Sequence, residues 1–174
     1  MILKLKRTPG IYLVGFMAAG KSTVGRMLAD ELGWTFIDID DDIEAQEHTS
    51  IAEIFEIHGE EAFREIETAV ICKRVQMVQR GRPTVAALGG GAFTRDPNYE
   101  LLEDNGVTVW LDCPLKVIEE RLAQNTVRPL ARDIDRMRSL YKQRASAYAK
   151  ADFHVDASGP ADRTLKLLLK LPIF

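Results

Sequence analysis

Metal-binding and redox residues are scarce in this chain: 2 cysteines and 3 histidines among 174 residues. Cys72 falls in a helix-like segment and Cys113 at a strand end, without the paired spacing of a metal site, so both read as buried thiols kept reduced in the cytosol. His48, His58 and His154 stand in no catalytic spacing and read as structural or surface residues. A large excess of charge of one sign is also missing. A net charge of −3 offers no broad basic face for nucleic acid or an anionic membrane, so any anion site must be local. No apolar run approaches the roughly 18 to 20 residues that a bilayer span requires, and the terminal "TLKLLLKLPIF" reads as a packed helix. Repeats, low-complexity tracts and long linkers are lacking too, which leaves one domain over 1–174 as the expectation.

What is present is alternation. Short apolar or β-branched runs ("IYLVG", "WTFIDI", "TVAAL", "VTVWL", "DFHVD") are separated by longer stretches with helical periodicity. Val24, Met27, Leu28 and Leu32 share one helical face, and Ser50 with Glu53 forms a capping box ahead of "IAEIFEIH". Gly59 should break that helix, and a long amphipathic one follows to Gln79. Asp112 and Pro114 read as the N-cap and early-turn proline of "LKVIEERLAQ". Trp34 and Trp110 read as core or strand-edge aromatics. The pattern implies an α/β fold: a three-layer α/β/α sandwich on a parallel sheet of about five strands.

Between the first strand and the first helix lies "GFMAAGKSTVG", Gly15 to Gly25. With "KLKR" upstream it could be the apolar stretch of a signal peptide. Pro9 and Gly10 at its start and the immediate return of charge at Lys21 argue against that. Gly15-x-x-x-x-Gly20-Lys21-Ser22 instead satisfies the phosphate-loop pattern in full, in strand-to-helix context. Glycines let successive N–H groups face phosphate oxygens, and the helix start adds its positive dipole end. Lys21 would then bridge the β- and γ-phosphates of ATP, and the Ser22 hydroxyl would ligate Mg²⁺.

Five further features bear on an acceptor site and a lid over it. In "FIDIDDDIE", Asp38 and Asp40 are two apart at a strand end, a spacing that would put both carboxylates in one crevice. An EF-hand is excluded because Ile43 and Thr49 stand where that loop needs Gly and Glu. Arg64 and Glu67 are three apart and could form a plain intrahelical pair. "LGGG" at Leu88 to Gly91 opens room for a ligand's polar face. Arg128, in the polar break "QNTVRPLARD" (124–133), suits a phosphoryl-transfer lid. Arg144, in "RMRSLYKQR", could be one more surface arginine.

Taken in succession, "FIDID", "GEEAFREIE", "LGGGA" and "NTVRPL" after the phosphate loop make the chain, from about Ile11 to Asp156, resemble the shikimate kinases. The resemblance implies a monomeric, cytoplasmic enzyme that uses Mg·ATP to phosphorylate the 3-hydroxyl of shikimate in aromatic amino-acid biosynthesis. It implies Ala18, Ala19, Gly20, Lys21, Ser22 and Thr23 around the ATP phosphates, Arg121 against adenine, and the lid Arg128 on the phosphates. It implies Ser22 and Asp38 at the metal, with Asp40, Lys21 and Arg128 as the catalytic set. Asp40 would hold the shikimate hydroxyls and act as base. Arg64 and Arg144 would clamp the carboxylate beside Gly90 and Gly91, with Glu67 orienting an arginine. The acceptor region would lie at about 38–70. Two positions depart from the family pattern: Ala18 stands in place of a loop glycine, and Ser146 in place of the proline of Arg-x-Pro-x-Tyr. A related gluconate or nucleoside-monophosphate kinase, or a nucleotide-binding regulator without catalysis, are the competing readings.

Overall fold

The computed structural model describes residues 10–124 and 133–173. Among these, five strands form one sheet in the order β2-β3-β1-β4-β5, every neighbouring pair parallel. The strands are β1 (Gly10–Val14), β2 (Thr35–Asp38), β3 (Thr84–Ala87), β4 (Val107–Asp112) and β5 (Phe153–Asp156). β1 and β3 are buried at every position because helices cover both faces, which is why their sequences are continuous apolar runs. β2, at the sheet edge, buries only Ile37. The expected α/β sandwich on a five-stranded parallel sheet is therefore the observed architecture.

The helices are α1 (Lys21–Leu32), α2 (Ile39–Glu47), α3 (Ile51–Gln79), α4 (Asp96–Asp104), α5 (Leu115–Ala123), α6 (Ile134–Tyr148) and α7 (Ala161–Leu168). Helix α1 lies close on the sheet: a Cβ at Gly25 would come within 2.7 Å of Phe36 and 3.0 Å of Leu13. Its end is set by Gly33 at φ 65°, after which the Trp34 N–H donates to Ala29 O at 2.9 Å. Both halves of the Ser50–Glu53 capping box are formed at the start of α3. Gly59, at φ 81° and ψ 175°, puts a kink inside α3 where the sequence predicts a break. The C-terminal segment packs as expected, with Thr164, Leu168 and Ile173 buried.

Two local expectations are corrected. Asp112 is the last residue of β4, and α5 begins behind Pro114 without a side-chain cap. Asp38 and Asp40 do not alternate along one strand. β2 stops at Asp38, whose side chain caps α2 by accepting from the Asp40 N–H at 3.0 Å. Asp40 therefore sits in the first turn of α2. Three successive aspartates favour a helix start over one more strand residue.

Candidate active site

The carboxyl ends of the strands open into one cleft of about 1200 Å³. On one side is the loop from β1 to α1. Ala18 takes the left-handed conformation (φ 57°), as does Gly20 at the helix N-cap (φ 94°). The first turn of α1 has neither a side-chain cap nor an acidic residue, and its residues Lys21, Ser22 and Thr23 line the cleft, a setting that suits an anion. Lys21 Nζ spans the loop, donating to the carbonyls of Gly15 (2.9 Å) and Phe16 (2.8 Å). The Ser22 hydroxyl donates to Asp38 Oδ2 at 2.5 Å, and both residues line the cleft.

Arg121, on α5, closes this end. One nitrogen donates to Ala18 O (2.9 Å) and approaches Cys113 Sγ (3.4 Å), while the other donates to Ala157 O and Gly159 O, both at 2.9 Å. The edges of its guanidinium are thus committed to backbone, leaving the flat face for any stacking partner. Arg128 and lid positions 125–132 lie outside the described residues.

Beside the loop, the triple-glycine turn after β3 meets the charged groups one by one. A Cβ at Gly89 would lie 2.8 Å from both Asp40 Oδ1 and Glu67 Oε1. At Gly90 it would lie 3.1 Å from an Arg144 nitrogen, and at Gly91 it would overlap the Arg64 guanidinium. Any side chain here would displace a charge, which is the physical use of three consecutive glycines. Arg64 does pair with Glu67 (2.7 Å), as the plain helical reading expects. It also lines the cleft, so the two readings are compatible. Glu67 is fully buried and its Oε1 makes no hydrogen bond. Burial pushes its carboxyl above the usual range, while Arg64 pulls it back. Arg144 stands over the Phe16 ring and lines the cleft, so it is not simply one more surface arginine.

Apart from Arg128, the structure brings every expected site residue to this cleft. It adds residues that sequence reasoning missed. Phe55 and Phe63, with ring centroids 4.6 Å apart, form an aromatic wall of the cleft. Gly89, part of the LGGG turn but given no site role of its own by the sequence, also lines the cleft. The three histidines lie outside the cleft lining, and His48 closes α2 at φ 54°. Cys113 is buried and Cys72 partly so, both as free thiols.

A strand-loop-helix phosphate cradle facing a compact pocket of paired arginines and carboxylates, on a parallel sheet, defines a phosphotransferase for a small anionic acceptor. The shikimate kinase family model matches residues 17–169. The chain is 38% identical over 150 residues to the shikimate kinase of Persephonella marina, covering 86% of this chain and 89% of that one. The Acinetobacter baumannii shikimate kinase solved with shikimate superposes with a TM-score of 0.84 at 34% identity, each chain covered fully. The Bacteroides thetaiotaomicron enzyme superposes with a TM-score of 0.86 at 29% identity, with 93% of this chain and 97% of that one covered. The chain belongs to the shikimate kinase family, and its activity is the ATP-dependent phosphorylation of shikimate in aromatic amino-acid biosynthesis.

Proposed function

We propose that the cleft transfers the γ-phosphoryl group of ATP to the 3-hydroxyl of shikimate, giving shikimate 3-phosphate and ADP. One observation carries this assignment of roles: Asp40, Arg64 and Arg144 converge on a turn whose three glycines each make room for a charged group. Two guanidiniums can hold the acceptor carboxylate by charge-assisted bonds, which aims a ring hydroxyl at the phosphate loop. Asp40 takes the hydroxyl proton as the new O–P bond forms and the bond to ADP breaks. Lys21 and the N–H groups of the loop balance charge on the phosphates, with Arg128 assigned the same task from the lid. Glu67 orients Arg64 from behind. The flat face of Arg121 is assigned to adenine, and Ala18 to Thr23 surround the phosphates.

The Ser22 hydroxyl and Asp38 carboxylate form an all-oxygen set that fits a hard cation, so these residues would hold Mg²⁺, Asp38 through water. When bound, the ion supplies neutralisation of phosphate charge. The whole chain is assigned to one domain acting as a cytoplasmic monomer, with acceptor region 38–70 and lid 124–133. No helix among the described residues is long and apolar enough to cross a membrane.

A coupled assay of ADP release with shikimate, gluconate, AMP or no acceptor tests the assignment. ADP should appear with shikimate alone. Release with gluconate only, or equally without any acceptor, would overturn it.

A further inference from the structure

Tyr148 ends α6 and is 2% exposed, yet its phenol meets the acceptor end of the cleft from behind. The hydroxyl donates to the carbonyl of Gly90. The position of a Cβ at Gly90 is 3.1 Å from an Arg144 nitrogen and 3.8 Å from this same phenol oxygen, so the three groups meet at one point. Arg144 and Tyr148 are four apart on an unbroken helix and share a face. Ser146, standing between them, lets α6 keep its regular hydrogen bonding where a proline would interrupt it. The Trp110 ring packs against the Tyr148 ring from the sheet side, tilted by 40° with centroids 5.9 Å apart.

Peptide geometry makes this contact consequential. In a planar trans peptide the C=O of one residue and the N–H of the next point in opposite directions. With the Gly90 carbonyl held by Tyr148, which stands outside the cleft lining, the Gly91 N–H is turned the other way. Both glycines line the cleft. Burial pushes the phenol up to about 12, with Arg144 and Arg64 pulling the other way, so the hydroxyl keeps its proton and remains a donor.

We propose that Tyr148 is a positioning residue for the acceptor. Without touching shikimate, it locks the Gly90–Gly91 peptide and Arg144 in the one arrangement that presents an N–H and a guanidinium to an anionic oxygen. The assignment rests on the acceptor site described above and deepens it.

Tyr148→Phe removes only the hydroxyl. The KM for shikimate, and its Kd by calorimetry without nucleotide, should rise on the order of tenfold, as expected when a bond to a charged group is misaligned. The KM for ATP should stay within about twofold, since the phosphate loop is untouched. Tyr12→Phe is the control. It deletes another phenol that donates to backbone (Asn105 O, 3.3 Å), outside the cleft lining, and should leave both KM values unchanged. In the wild-type protein, the Gly91 amide proton should shift in an NMR titration with shikimate, a readout independent of any variant. A Tyr148→Phe enzyme with an unchanged shikimate KM, a parallel rise in both KM values, or a Gly91 amide that does not respond would each overturn the proposal. Wild-type protein inactive toward shikimate would instead overturn the function on which it rests.

Discussion

Ala18 holds a backbone angle that a β-carbon resists. A left-handed conformation costs an alanine about 1 to 2 kcal/mol, and glycine at the same place would escape that cost. Glycine would also free the unfolded chain, giving back about 0.4 to 1 kcal/mol. Ala18→Gly should therefore stabilise the protein slightly, raising Tm by about 2 °C in a thermal melt; a lower Tm would mean that the methyl group contributes packing beyond its strain. Asp40 carries the sharper prediction. Asp40→Asn should lower kcat by about 10²- to 10⁴-fold while ATP still binds, as calorimetry would read. Turnover near wild type would remove Asp40 from the role of base. Ala18, Asp40, Arg64 and Arg144 could all be picked out of the sequence because motif order and charge type are local properties. Phe55, Phe63 and the particular partners of Gly89 could not, because they depend on which groups α2 and α3 bring to the cleft, and that exists only after folding.

Helix α3 shows what an element's own residues decide. Its start is written in four letters, Thr49 to Ala52, together with Glu53. Hydrogen bonds from Thr49, and then from the Ser50 backbone and side chain, hold the Glu53 carboxyl down at about 2, against an ordinary value of 4.5. A depressed carboxylate contributes stability that is complete above the unfolded value and is lost as pH falls through the folded one. Glu53→Gln should therefore be less stable than wild type at neutral pH. The gap should close between about pH 4.5 and 2, measured by denaturant melts across that range. A gap that persisted at pH 2 would show the difference to be packing. The kink at Gly59 was legible for the same local reason. The start of α2 was not. "FIDIDDD" continues the strand by apolar alternation and starts a helix by its aspartates, and the caps won because the edge strand gains little from one more residue.

At the scale of the molecule, the regions assigned to nucleotide and to acceptor share one cleft, and they are built by different parts of the chain. The loop after β1, α1 and Arg121 form one, while α2, α3, α6 and the turn after β3 form the other. A ligand that binds only the folded state stabilises it by about 2.7 kcal/mol at a hundredfold excess over Kd. Shikimate and ATP should each raise Tm, separately measurable by scanning calorimetry. Arg64→Ala should abolish the shift caused by shikimate and preserve the one caused by ATP. Loss of both shifts would mean that Arg64 supports the fold as a whole. The strand order could not be read from the sequence, since parallel neighbours are joined through helices and composition does not record which strand lies beside which. Even so, alternation alone was enough to predict the sandwich.

The turn at Gly89, Gly90 and Gly91 has a consequence for how acceptor preference can change. Its contribution is empty space already filled by charged groups from elsewhere, so almost any substitution within it is a steric loss. Divergence toward a new acceptor must therefore proceed through α2, α3 and α6, by exchanging what enters the space. In a library of variants, the turn should be the fixed frame and the helices the variable parts.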